Sequence, residues 1–393
     1  MARYRLDPTP EQVAGLDEHC GHARFVWNLA VEQQSWWTPY RGKAPNHLER
    51  CRQLTAARAV FDWLRAGSQT VQQQALRDFD QAMRNFFAGS HRRPGFRKRG
   101  QSEGFQIVGK MAKVEKLNQR WSRCWVPKVG WVKFRVSRKV PDFKSYRATR
   151  DRAGRWHVAF AVAPEPIGAP GTGEVVGVDR GVAVSAALST GELLACPGLR
   201  PAEAVRLVRL QRRIAKAKRG SNRRARLRSQ IGRLKAREVD RRKDWVEKTS
   251  TSLARRYDLI RVEDLRIGQM TKSARGTVEA PGKNVRQKAG LNRAILASGW
   301  GLLVRRLEQK APGRVEKVPA AYTSQRCSAC GHVASESRES QARFRCAACG
   351  YTANADINAA CNIAAGRAVT ARGGAGLPEP ANREPQQREP LFV

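Results

Sequence analysis

Acidic residues are what this sequence has too few of. Against 74 lysines and arginines stand only 34 aspartates and glutamates in 393 residues, a formal charge of +40. A chain so unbalanced repels itself unless a polyanion neutralises it, and nucleic acid is the usual polyanion. Ribosomal proteins are as basic but rarely this long, and membrane-surface proteins gather their charge in one short patch. Long apolar runs are also missing, and none reaches the length of a membrane span. Disulfide-like cysteine spacing is missing as well: Cys20, Cys51, Cys124, Cys196 and Cys361 are scattered, an odd remainder. The opening Met-Ala-Arg-Tyr-Arg does not read as a signal peptide. Together these absences lead us to expect a soluble intracellular protein in a reducing compartment.

The length allows two to four domains with real cores. Arg3 to Leu6 reads as a short strand, after which Thr9 caps a helix with Pro10 at its first position. Helices with many aromatics (Phe25, Trp27, Trp36, Trp37) continue to about residue 89. One of them carries Leu76, Phe79, Met83 and Phe86 on a single face. From His91 a basic turn leads into alternating segments around Phe105, Trp131 and Trp156, which read as antiparallel strands of a small barrel or sandwich. Residues 163–173, broken by prolines and glycines, form a linker and the main domain boundary.

Beyond it, Val175-Val-Gly-Val-Asp179 reads as a buried strand, followed by two more strands around a Thr-Gly turn. Residues 202–256 are helical with a break at 219–222. Between Arg206 and Lys243 lie seventeen basic residues against two acidic ones, and each arm keeps one apolar seam, so we expect a helical hairpin facing phosphate. Another short strand ends at Glu263. Residues 264–290 read as a mobile loop, 291–310 as one helix, and 366–393 as a disordered tail.

Two constellations carry chemistry. Cys327-Ser-Ala-Cys330 and Cys346-Ala-Ala-Cys349 are separated by fifteen residues, a spacing that suits tetrahedral zinc held by four thiolates, each pair closed by a glycine (Gly331, Gly350). Asp179, Glu263 and Asp356 each stand at the end of an element, and an aspartate among Val176, Val178, Val182 and Val184 is costly unless paired or bound to a cation. Each has a plainer reading: Asp179 capping a turn, Glu263 in a surface ion pair, Asp356 as a helix cap. Read together, two strand ends and a helix start can converge three carboxylates, and such oxygen-rich, histidine-free sites suit Mg2+ or Mn2+. Two such ions about 4 Å apart can drive phosphodiester hydrolysis.

The order Gly177-Val-Asp179-Arg-Gly, Val262-Glu263-Asp-Leu, then the paired cysteines followed by Asp356-Ile-Asn-Ala-Ala resembles the split RuvC nuclease of TnpB proteins. These are transposon-encoded RNA-guided DNA nucleases related to miniature type V CRISPR effectors. Tyr4-Arg-Leu-Asp-Pro-Thr-Pro, Arg24-Phe-Val-Trp-Asn28, Pro94-Gly-Phe-Arg-Lys98 and Gly299-Trp300 are similar to other signatures of that family, so the resemblance spans nearly the whole chain.

The resemblance implies an α+β multidomain fold. A helical recognition domain (11–89) is inserted in a wedge-like β-barrel (1–10 and 90–165). An RNase H-like (RuvC) nuclease domain (174–322 and 351–365) follows, with an inserted four-cysteine zinc ribbon (323–350). It implies guide RNA and target double-stranded DNA as partners, structural Zn2+, two catalytic Mg2+ ions held by Asp179, Glu263 and Asp356, and no membrane. It places the protein in a prokaryotic cytoplasm, on the nucleoid through DNA. The oligomeric state stays open, with a monomer favoured. A short motif beside the target would be read by Gln69, Thr70, Gln73 and Gln106, and a glutamine can bond adenine bidentately; solvated polar side chains are the plainer reading. The nucleic-acid backbone would meet Arg92, Arg93, Arg97, Lys98, Arg212, Arg213, Arg223 and Arg224. Two departures stand out. Arg180 takes the place of a small or apolar residue, and Asn354 that of an aspartate. The same residues would also serve a type V CRISPR effector. A cleavage-deficient RNA-guided regulator and a guide-free nuclease or transposase are further alternatives.

Overall fold

Alternation of apolar and polar residues builds the first sheet of the computed structural model, which describes residues 2–38, 40, 44–162 and 165–366. The expected tail, apart from Gly366, lies outside the described residues, as do residues 163 and 164 of the linker. The chain divides into two compact units, Met1–Glu165 with Pro197–Asp244, and Pro166–Cys196 with Trp245–Val393. The chain passes between the units at three points, one of which, between residues 165 and 166, lies within the proline- and glycine-punctuated stretch. No helix among the described residues is long and apolar enough to cross a membrane.

In the first unit, β1 (Ala2–Asp7) lies at the centre of a seven-stranded sheet. The other strands are β2 (Gly104–Val108), β3 (Val114–Lys116), β4 (Trp121–Val126), β5 (Gly130–Arg135), β6 (Ser145–Arg150) and β7 (Trp156–Phe160). Their order is β2-β6-β7-β1-β5-β4-β3, and every pairing is antiparallel. Tyr4, Phe134, Tyr146 and Phe160 pack ring to ring on the buried face. Between β1 and β2 the chain forms α1 (Pro10–Ser35), α2 (His47–Val60), α3 (Asp62–Ala66) and α4 (Gln69–Phe87). Thr9 and Gln12 form a reciprocal capping box at the start of α1, which satisfies two otherwise orphaned N–H groups. Leu76, Phe79 and Met83 of α4 are buried, and Phe79 meets Trp27 edge-on at 5.5 Å.

The basic segment forms α5 (Pro201–Lys216) and the long α6 (Asn222–Arg256), whose facing seams bury Leu207, Leu210, Leu227 and Leu234. Up to Asp244 this hairpin groups with the first unit, not with the strand that precedes it in the chain. Arg155 donates to Asp240 of α6 at 2.7 Å. A Cβ on Gly232 would stand 2.6 Å from the Arg152 carbonyl, so the approach there requires glycine.

The second unit holds a five-stranded sheet of β8 (Val175–Asp179), β9 (Ala186–Leu188), β10 (Leu193–Leu194), β11 (Leu259–Glu263) and β12 (Val315–Val318), ordered β10-β9-β8-β11-β12. β8, β9 and β10 are antiparallel neighbours, whereas β11 runs parallel to both β8 and β12.

Two expectations are corrected here. The stretch 264–290 contains α7 (Ile267–Met270), a bridge between Gly276 and Pro281, and the start of α8 (Val285–Ser298). The single helix expected over 291–310 breaks at Gly299, whose φ of +78° ends α8 and starts α9 (Trp300–Lys310). The cysteine segment adds a small hairpin of β13 (Arg343–Arg345) and β14 (Thr352–Asn354), and α10 (Ala355–Ala364) follows directly.

Candidate nuclease and metal centres

Asp179 closes β8 and Glu263 closes the parallel neighbour β11, whose register pairs Val178 with Val262. Parallel pairing therefore carries both carboxylates to the same end of the sheet. Asp356 comes from the first turn of α10, which packs on β8 because residue 177 is glycine. A Cβ there would stand 2.0 Å from the Ala360 carbonyl oxygen and 2.4 Å from the Ala364 nitrogen. The turn after Asp179 is held by Trp300, whose indole N–H donates to the Gly181 carbonyl at 3.1 Å. A Cβ on Gly181 would lie 3.8 Å from Asp356 Oδ2, so this turn also lies against the third carboxylate.

The electrostatics fit convergence. Burial, and then the charges of Glu263 and Asp356, push the Asp179 carboxyl well above its ordinary range, with Arg338 acting in the opposite sense. Burial also raises Asp356, again against Arg338, whose Nη2 lies 3.8 Å from Asp356 Oδ1. Glu263 is buried and accepts from the Thr323 hydroxyl at 2.7 Å. Carboxylates about 5 Å apart in a protein interior repel by about 3 kcal/mol, and a multivalent cation offsets that cost. Among the described residues the four cysteines are the only group of three or more potential ligands whose atoms all lie within 4.8 Å of one another, so the three carboxylates do not all come within that distance. An all-oxygen donor set of this kind suits hard divalent cations.

Arg180 is buried and donates to the Glu263 main-chain carbonyl, so it ties the ends of β8 and β11 together. Asn354 is the N-cap of α10. Its Oδ1 accepts from the Asp356 and Ile357 N–H groups at 3.0 and 3.2 Å, a task for which a neutral amide serves as well as aspartate.

In the cysteine centre, Cys327 and Cys349 sulfurs are 3.8 Å apart and Cys330 and Cys346 sulfurs 3.6 Å. Zinc–sulfur bonds of about 2.3 Å put tetrahedral ligands about 3.8 Å apart, so the site fits zinc. Gly331 and Gly350 take φ of +79° and +70°, and each donates back to the first cysteine of its pair at 2.9 and 3.0 Å. The Cys349 N–H draws the Cys346 thiol down to about 6. Cys349 itself, although the Tyr351 N–H favours its thiolate, is pushed up to about 12 by the Cys330 thiol.

The two centres share a scaffold that sequence reasoning missed. Ala355, next to Asp356, is buried in one cluster with Cys327, Phe344 and Cys346. Asn358 donates to the Arg326 carbonyl at 2.7 Å and accepts from the Ser328 N–H at 2.9 Å. Asn362, one turn later, donates to the Thr323 and Arg326 carbonyls at 3.0 and 2.8 Å. Two asparagines four residues apart on a helix that is otherwise polar only at Asp356 were the available signal. Thr323 and Arg338 carried no comparable signal.

The other nominated residues are dispersed. Gln69 is exposed, and Thr70 and Gln73 are half-buried on the first turns of α4. Gln106, on β2, accepts from Arg147 at 3.2 Å. Arg92, Lys98, Arg212, Arg213 and Arg223 are exposed, as is Arg93, which donates to the Gln34 carbonyl at 3.3 Å. Two arginines are engaged in structure instead. The Arg97 guanidinium stacks 3.5 Å over the Trp27 ring, and burial lowers its pKa to about 10. Arg224 donates to the Ile214 and Ala217 carbonyls at 2.6 and 2.9 Å, capping the end of α5 within the hairpin turn.

Comparison with known proteins gives a consistent result. Family models match at residues 2–43 ("Helix-turn-helix domain", IS605 OrfB type), 157–274 ("Probable transposase", IS605 OrfB type) and 300–363 ("Cas12f1-like, TNB domain"). The chain is 37% identical over 384 residues to the "Putative RNA-guided DNA endonuclease InsQ" of Escherichia coli K12, covering 94% of this chain and 93% of that one. It is 30% identical over 390 residues to a "Putative RNA-guided DNA endonuclease" of Streptomyces pristinaespiralis, covering 94% and 90%. A solved complex of Cas12f1 with sgRNA and target DNA shares the α+β fold at a TM-score of 0.54 and 12% identity, over 88% of this chain and 81% of that one. With relatives of such identity matching almost end to end, this chain belongs to the TnpB family.

Proposed function

We infer that the protein is an RNA-guided DNA endonuclease that hydrolyses phosphodiester bonds. The observation that carries this reading is the approach of Asp179, Glu263 and Asp356 from two parallel strand ends and a helix start, in a chain aligned almost end to end with relatives named for that activity. The strand order, counted from β8 as 3-2-1-4-5 with only the last two added in parallel, supports an RNase H-like nuclease domain. On this reading the seven-stranded sheet would be the wedge domain, α1–α4 the recognition domain, and the cysteine segment the zinc ribbon.

The three carboxylates would hold Mg2+, most simply as a pair. Bound there, the ions would activate water and stabilise the leaving oxygen. Thr323 orients Glu263 through its hydroxyl, Asn354 fixes the first turn that delivers Asp356, and Arg180 keeps the two strand ends together. Arg338 sets a fixed positive charge beside Asp356, where it limits repulsion among the acids. Zinc in the four-thiolate site would be structural, since four sulfurs leave no open coordination position.

Guide RNA would supply sequence choice by pairing, while the protein reads backbone shape and a short motif. Arg92, Arg93, Lys98, Arg212, Arg213 and Arg223 are the exposed cations for that backbone. Gln69, Thr70, Gln73 and Gln106 are the candidate motif readers. To test the reading, the RNA that co-purifies with the protein is sequenced, and cleavage of a matched duplex is compared with and without it in Mg2+. RNA-dependent cutting is expected, together with binding that falls steeply with salt. Equal cutting by RNA-free protein would overturn the guided reading. Activity with a CRISPR guide but not with a transposon-end transcript would move the protein to the effector class.

A further inference from the structure

A buried arginine stands at the ends of the two carboxylate-bearing strands. Arg180 directly follows Asp179 and is only 6% exposed. Its Nη2 reaches the end of β11 and donates to the Glu263 main-chain carbonyl. Its Nε–H is buried and has no hydrogen-bond partner among the described residues. Burial pulls the guanidinium pKa down, and the charges of Glu263, Asp179 and Asp264 oppose that pull.

Such a residue is costly if all it does is tie two strands. Taking a guanidinium out of water carries a large desolvation penalty, and an orphaned buried N–H adds to it. One hydrogen bond to a main-chain carbonyl recovers little of that penalty, and a neutral amide could make the same bond with less desolvation. What a neutral side chain cannot supply is charge. Three carboxylates converge at this site, and like charges repel strongly where water is excluded. Arg338 stands 3.8 Å from Asp356, so the third carboxylate has its own cation. Arg180 is the cation placed on the strand ends that carry the other two.

We propose that Arg180 is a positioning residue that acts as a resident counter-charge: its fixed positive charge offsets the repulsion between the carboxylates that end β8 and β11, so the site stays assembled before a divalent cation binds. This deepens the functional reading above and rests on the three carboxylates being a cation site. Metal would then enter a preformed site and would not have to draw the strand ends together.

The test follows amide hydrogen exchange in peptides covering β8 and β11 of the full chain, dialysed free of Mg2+ with zinc retained, and again with Mg2+ added. Arg180→Met removes the charge, and protection there should fall at least about tenfold without Mg2+. Added Mg2+ should restore most of it, because the ion supplies the missing positive charge. Arg180→Lys keeps the charge and should stay near wild type. In a Glu263→Gln background the strand ends carry one negative charge less, so Arg180→Met should cost far less protection there than it does alone. Equal losses in the two backgrounds, or a lysine variant no better protected than the methionine variant, would overturn the proposal and leave Arg180 a structural tie. Should Arg180→Met not fold, a lysine variant that also fails to fold overturns it, and one that folds with wild-type protection supports it. Calorimetric titration of Mn2+ into wild type and Asp356→Ala separates the two levels. Equal binding by both would refute the cation-site reading, while the comparison of backgrounds still decides the counter-charge.

Discussion

The four-sulfur centre ends a few residues before Asp356, the last member of the three-carboxylate centre, yet the two centres are built in opposite ways. The sulfurs come from two tight turns in one short segment and already stand at tetrahedral spacing, 3.6 and 3.8 Å apart. The carboxylates come from two strands and a helix start, do not all lie within 4.8 Å of one another, and repel one another where they converge. One centre is local and assembled by turn chemistry. The other is tertiary and depends on how closely α10 can approach β8. The first can therefore serve as a fixed base for the second.

The largest effect should come from the tertiary centre. Asp179→Ala, Glu263→Ala or Asp356→Ala should each lower the cleavage rate at least about a thousandfold, several kcal/mol of barrier, while guide RNA and target binding stay near wild type in gel-shift titration. Substantial residual cutting in any one would remove that residue from the metal site. The local centre comes next. Cys327→Ser or Cys346→Ser should lose the one zinc per chain, measured by elemental analysis, and cleavage with it, because folding around structural zinc is worth about 10–16 kcal/mol in small domains. Full activity in a zinc-free preparation would separate the two centres.

The scaffold between them should give intermediate effects. Gly177→Ala should cost at least about 1–3 kcal/mol in thermal unfolding and most of the activity, since its Cβ collides with the α10 backbone. Asn362→Ala leaves the Thr323 and Arg326 carbonyls short of a donor and should cost about 1–3 kcal/mol, with cleavage falling further than RNA binding. Smallest of all, Thr323→Val removes one hydrogen bond to Glu263. It should raise the Mg2+ concentration needed for half-maximal cutting severalfold with little change in melting temperature.

The contrast also explains what could be read before folding. A local centre writes its geometry into spacing, so the cysteine pairs and their closing glycines were visible directly. The carboxylates were visible as chemistry, through an aspartate in a valine-rich strand and another beside the knuckle. What holds them was not, because Thr323, Arg338 and the collision that forces glycine at 177 depend on residues distant in sequence. Strand β12 escaped because Val-Glu-Lys-Val is short and half polar, and only its parallel partner identifies it. The break at Gly299 was hidden because apolar periodicity resumes on both sides of one left-handed residue. Arg97 and Arg224 show the limit of reading charge from composition: one stacks on Trp27 and the other caps a helix.

The residues just before the first cysteine pair are pinned at close intervals. Thr323 is bonded through its hydroxyl to Glu263 and through its carbonyl to Asn362, Arg326 is held by both asparagines, and Cys327 begins the first knuckle. This run behaves as a spacer of fixed length. A single inserted or deleted residue there would shift one set of anchors against the other, although no functional side chain had changed. Peptide tags, fused domains and natural length variation must therefore be accommodated elsewhere in the chain, and an alignment gap within these five positions would signal an inactive relative more reliably than most point substitutions nearby.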